Sequence, residues 1–187
     1  MGNMIAYNLD HLLNIILYDQ MFEWLRPKLE IIHGPAGWWD NGVYANLSDR
    51  QREKVQPGKS GDLSQLDLQA LLHVCSKNFK ELTTQCGVSW DIRSPLESVR
   101  GARNALCHRK GGQVPDPDDL LLHALNTKKL LSLIDASPEK IGAADRVIRN
   151  ITSPEEQENS AFTLGDLIGG QLDCLVLTHD APKTESG

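Results

Sequence analysis

The sequence predicts an all-α fold: a bundle of four to five helices with a long helix-connecting loop and a C-terminal arm. Three observations predict it. Apolar residues recur every three or four positions over several long stretches, which is the period of one helix face. Pairs that combine a capping oxygen with a proline stand where three of those stretches begin, at Ser94-Pro95, Asp116-Pro117 and Ser137-Pro138. Proline is tolerated there because the first helical turn has no use for its missing amide hydrogen. Glycine follows where stretches stop, at Gly87 and at Gly111-Gly112, the residue that most readily turns the backbone out of a helix.

The first helix runs from about Tyr7 to Leu25, with Leu9, Leu12, Leu13, Ile16, Leu17, Met21, Phe22 and Leu25 at helical spacing and Pro27 ending or kinking it. His33 to Gly61, rich in glycine and proline, is the long connection. It contains a short charged helix at Ser48 to Val55, and Trp38-Trp39 folds back as a plug on the bundle. A second long helix occupies Asp62 to Gln85, started by Ser64-x-x-Asp67, with Leu66, Ala70, Leu71, Val74, Phe79 and Leu82 on its buried stripe. The third spans Pro95 to Lys110, where Ser94 and Glu97 read as the two halves of a capping box. Asp116 opens the fourth, packed through Leu121, Ala124, Leu125, Leu131 and Ile134, and Ser137 opens one more that ends near Asn150. Residues 1–150 form the helical domain. Residues 151–187 form a polar, acidic linker and a C-terminal arm leading towards a further domain; Phe162 to Leu177 is apolar enough to dock on a folded surface, and Leu175-Val176-Leu177 has the composition of a lone strand.

Composition narrows the function. A chain of 187 residues with 40% hydrophobic content is long enough for one well-buried domain plus an appendage. The formal net charge of −6 argues against a general nucleic-acid coat or a membrane-surface protein, because binding to polyphosphate rests on neutralising cations. The N-terminal run Ile15-Ile16-Leu17, flanked by Asn14 and Tyr18, is too short and polar in context for a signal peptide or a span. Cys75, Cys86, Cys107 and Cys174 form no Cys-x-x-Cys pair, so the default is reduced thiols in the cytoplasm rather than a zinc ribbon or a disulfide framework.

Against this acidic background, the third helix and its exit carry Arg100, Arg103, Arg109 and Lys110 and a single acid, Glu97. At about 100° per residue, Val99, Ala102 and Leu106 fall on one side and Glu97, Arg100, Asn104, Cys107 and His108 on the other. Asn104 and His108 are four apart and stack along one face, with Arg103 at its border.

The pattern Arg103-Asn104-x-x-x-His108 resembles the signature of the HEPN superfamily, the higher eukaryote and prokaryote nucleotide-binding domains. The preceding Leu66-Asp67-Leu68-x-Ala70-Leu71-Leu72 and Asn78-Phe79-x-Glu81-Leu82 are similar to the branch appended to a eukaryotic nuclear RNA-quality-control endonuclease and found in bacterial defence proteins. The resemblance covers roughly Asp10 to Ala136. It implies a homodimer with the motif helices near its twofold axis and a metal-independent endoribonuclease that needs no cofactor, in defence, toxin activity or RNA quality control. Lys110 stands where HEPN toxins silenced by an adenylylating antitoxin carry tyrosine, so that route of control is not expected.

These residues suit the chemistry. Metal-free RNA cleavage needs a base for the 2′-hydroxyl, an acid for the leaving oxygen and positive charge on the phosphate. His108 suits proton transfer, because an unperturbed imidazole titrates near neutrality. Arg103 has the planar fork that grips phosphate oxygens, Asn104 orients, and Arg100, Arg109 and Lys110 guide the strand. Arg103 and His108 point about 140° apart on an ideal helix, so a site shared between two copies is expected. In the competing reading, Arg103 pairs with an acid of a neighbouring helix and His108 merely ends its own; the chain is then a non-catalytic module that binds RNA or a protein. His73 and His123 are weaker candidates, read as packed or surface imidazoles, the tryptophans are read as packed, and no metal-ligand spacing is present.

Overall fold

The computed structural model describes residues 2–55, 61–107 and 116–153, with side chains from Ala6 onward and up to Leu106 in the middle stretch. All belong to one unit of the chain, Met1–Pro154. Among them are eight α-helices and no strand: α1 (Gly2–His11), α2 (Tyr18–His33), α3 (Asp49–Arg52), α4 (Leu68–Lys77), α5 (Phe79–Cys86), α6 (Arg93–Cys107), α7 (Pro117–Leu133) and α8 (Pro138–Thr152). No helix among them is long and apolar enough to cross a membrane. The expected linker beyond Ser153, its docking stretch and the lone strand lie outside the described residues.

α1 and α2 form one rod, joined through a π-helical turn at Leu12–Leu17. That turn has a cause in the sequence. Leu9, Leu13, Leu17, Met21, Leu25 and Leu29 are all fully buried, a repeat of four. At about 100° per residue such a repeat would drift by about 200° over its length. The wider π turn rotates less per residue and so holds the stripe on the core. The rod also continues past Pro27 to Gly34, longer than expected. Pro27 and Glu23, whose carbonyl loses its amide partner, are both exposed, so water can replace the bond, while Leu29 keeps the helix docked. Gly34, at φ 76°, turns the chain out.

In the long connection, Trp38 and Trp39 are each 6% exposed and meet edge to face at 5.8 Å, with the Arg26 guanidinium 5.2 Å from the Trp38 ring. They plug the bundle as expected. Ser48 and Gln51 form a reciprocal capping box for α3.

The expected second helix is two. Asn78 breaks it: its amide nitrogen donates to the carbonyls of Gly42 and Val74, each at 2.8 Å, and its oxygen meets Nε2 of His33 at 2.9 Å. Gly87, left-handed at φ 67°, ends α5 where the sequence placed the stop. The capping box expected at Ser94 is absent. Ser89 instead accepts from the Asp91 amide and opens a 3₁₀ turn at Trp90–Ile92 that runs into α6, because Ile92 is buried and draws the chain into helix earlier. Pro95 still falls in the first turn of α6.

α7 packs against α6 and α8. Its buried face is Leu120, Ala124, Thr127, Leu130 and Leu131, continued by Ile134. Leu125, expected in the core, is 46% exposed, since it sits about 140° from Leu120 around the helix. Lys140 of α8 donates from Nζ to Gln20 and Glu23, both at 2.9 Å, and buried Gln20 donates to the Ile134 carbonyl at 2.9 Å. These bonds tie the first rod to the turn between α7 and α8.

Candidate functional site

α6 lies antiparallel to α4. Arg103, near the end of α6, donates from Nη2 to Oδ2 of Asp67 at the start of α4, 3.2 Å away, and Ser76, near the end of α4, donates to Glu97 in the first half of α6 at 3.4 Å. Leu96, Val99 and Ala102 are buried beneath the helix and Leu106 packs on the core, as the spacing predicts.

Asp67 has two uses. Oδ1 accepts from the Ala70 amide at 2.9 Å and caps α4, while Oδ2 holds the guanidinium. The cap contributes about 1 kcal/mol. With the Asp67 side chain 48% exposed and that of Arg103 19%, the ion pair itself adds about 1 kcal/mol or less. Its larger effect is positional, because one carboxylate fixed by a helix start holds the guanidinium in place. Arg103 Nε is buried without a hydrogen-bond partner. The same is true of Oε1 of Gln69, two residues after Asp67, and of Nδ1 of His123 on α7. A buried polar atom without a partner costs about 1–3 kcal/mol, so three adjoining helices each carry an unmet polar group.

Arg100 pairs with Glu97 at 3.1 Å, and Asn104, next to Arg103 in sequence, is half-buried. Arg100 and Arg103 therefore both have acid partners, and the local positive excess read from the sequence is reduced in space by Asp67. His108, Arg109 and Lys110 lie outside the described residues. The structure thus joins Arg103 to an acid that the sequence offered only as a helix start.

A groove of about 380 Å³ opens beside Asp67, lined by Asn14, Tyr18, Ser64, Gln65, Leu66, Asp67 and Leu68. Burial, and then the charges of Asp19, Asp62 and Asp67, push the Tyr18 phenol above its ordinary range. A groove with that field repels phosphate. Cys75 is fully buried, its thiol pushed up to about 12 by burial, and burial raises Cys86 despite Lys28. Neither supplies a thiolate at neutral pH. Among the described residues no group of three His, Cys, Asp or Glu side chains is placed to hold a metal.

His73 and His123 behave as packed imidazoles. Burial, followed by Lys77 and Arg100, holds His73 below 6.5, and burial, opposed by Asp119, holds His123 below 6.5. A lowered folded value means that the unfolded chain takes up the proton more readily. Their contribution to stability is therefore complete above 6.5 and is lost as pH falls from there through the folded values. Thermal melts between about pH 7.5 and about pH 5 should show a steeper decline for the native chain than for His73→Gln with His123→Gln. Equal slopes would remove these two residues from the acid response.

The chain matches no family model, no curated protein and no solved structure.

Proposed function

We propose that the chain is a metal-independent endoribonuclease of the HEPN kind, cleaving single-stranded RNA as a homodimer in defence or RNA quality control. The observation that carries this reading is Arg103: a guanidinium oriented by Asp67 through Nη2, with Nε unpartnered, on the helix that leads into His108. In this reading one imidazole function accepts the proton of the 2′-hydroxyl as its oxygen bonds to phosphorus. The bond from phosphorus to the 5′-oxygen breaks, and that oxygen takes up a proton. Arg103 stabilises the charge gathering on the non-bridging oxygens, and Asn104 orients the imidazole or the phosphate. Arg100, Arg109 and Lys110 guide the strand.

The Asp67–Arg103 pair also favours a second reading. A cation already matched by a carboxylate serves packing, and the chain would then be a non-catalytic helical module that binds RNA or a protein. The two separate on labelled single-stranded RNA in excess EDTA. The enzyme gives chelator-resistant cleavage ending in a 2′,3′-cyclic phosphate, lowered about a hundredfold or more by Arg103→Ala. RNA that is bound but stays intact would select the module, and cleavage abolished by EDTA and restored by magnesium would remove the mechanism.

A further inference from the structure

Along α7, Asp118, Leu122, Leu125 and Lys129 are all exposed, the two leucines by 54% and 46%. Their spacing of four, three and four keeps them within about 60° of one another on the helix, opposite the buried face of Leu120, Ala124, Thr127 and Leu131. A single exposed leucine is ordinary. Two adjacent leucines centred between opposite charges make a pattern, and the pattern has a symmetry. Turning a second copy of α7 end for end about the midpoint between His123 and Ala124 sets Leu122 against the partner's Leu125 and Asp118 against the partner's Lys129. Both contacts then occur twice. A parallel pairing would instead set acid on acid and lysine on lysine. Neither Asp118 nor Lys129 forms an ion pair with a described residue, whereas the neighbouring Lys128 is held by Asp145 at 2.6 Å.

We propose that this stripe is where two copies of the chain associate, α7 against α7, antiparallel about a twofold axis. The interface is isologous, each copy offering the same patch, and four leucines at heptad-like spacing exclude water from its centre. The outward ridge of α6, made of Ser94, Ser98, Gly101 and Ala105, would allow close approach but offers little apolar area and no complementary charge. One helix pair is a small contact, so the dimer is a reversible one. The proposal does not depend on RNA cleavage.

Sedimentation velocity from about 1 to about 500 μM tests it, with circular dichroism to confirm that each variant keeps its helices. The native chain shifts from monomer to dimer across that range, and Leu122→Asp raises the dissociation constant at least about tenfold. The charges test the direction. Asp118→Lys and Lys129→Asp each leave one sign at both ends of the stripe, so each variant alone dimerises weakly; their equimolar mixture restores both ion pairs and associates more tightly than either. A native chain monomeric throughout would overturn the proposal. So would a dimer indifferent to Leu122→Asp, which moves the axis to another face such as α6, or a mixture no tighter than its components.

Discussion

Replacing His108 by alanine is expected to lower cleavage of single-stranded RNA by about a hundredfold or more, with RNA binding little changed. The magnitude is that of a lost general acid or base, and an imidazole near neutrality is the side chain of the motif best able to serve as either. Binding is spared in the proposed mechanism, where affinity for the strand is assigned to cations, Arg100, Arg109 and Lys110, that the substitution leaves in place. Single-turnover cleavage beside fluorescence anisotropy at the same ionic strength separates the two quantities. A parallel loss of binding and cleavage would make His108 a binding group, and unchanged cleavage would assign the activity elsewhere. Charge reversal at Arg100 should do the opposite, weakening binding and flattening its salt dependence.

Asn78→Ala is expected to cost about 1–3 kcal/mol of folding stability. Asn78 is 3% exposed and closes three contacts at once, to the Gly42 and Val74 carbonyls and to His33. The Val74 carbonyl also receives the Asn78 backbone amide at 3.1 Å, so it keeps a partner. The Gly42 carbonyl likewise keeps the Asn46 side-chain amide at 3.0 Å, so the His33 ring alone loses its partner, at about 1–3 kcal/mol. Set against a usual total of about 5–15 kcal/mol, that is an appreciable fraction, and at about 2–4 °C per kcal/mol the melting temperature should fall by roughly 2–12 °C. Asn78→Asp should not rescue it, since a carboxylate accepts from His33 but cannot donate to two carbonyls and is costly to bury. Calorimetry showing a loss under about 1 kcal/mol would mean that the junction of α4 and α5 is held by packing alone.

Much of this was written locally in the chain. Asp116 and Ser137 cap helices where the sequence placed them, Gly87 ends one, and Val99 and Ala102 face inward, because caps and apolar periodicity act within one or two turns; the second helix starts later than the Ser64 start read from the sequence, with Asp67 as its cap. The sequence also offered Arg103, Asn104 and His108 as candidate chemistry, through the resemblance of their pattern to a known signature. The tertiary structure decided what such patterns leave undetermined. Pro27 did not end its helix, since a lost hydrogen bond on an exposed face is mended by water, and Asn78 did end one, since Gly42 and His33 reach its side chain from distant parts of the chain. Leu125 turned outward because the packing of α7 on α6 and α8 selects one face of the helix. Arg103 met Asp67, which is 36 residues away. That pairing arises because α4 and α6 pack antiparallel, bringing the start of one helix to the end of the other, and no local periodicity encodes it.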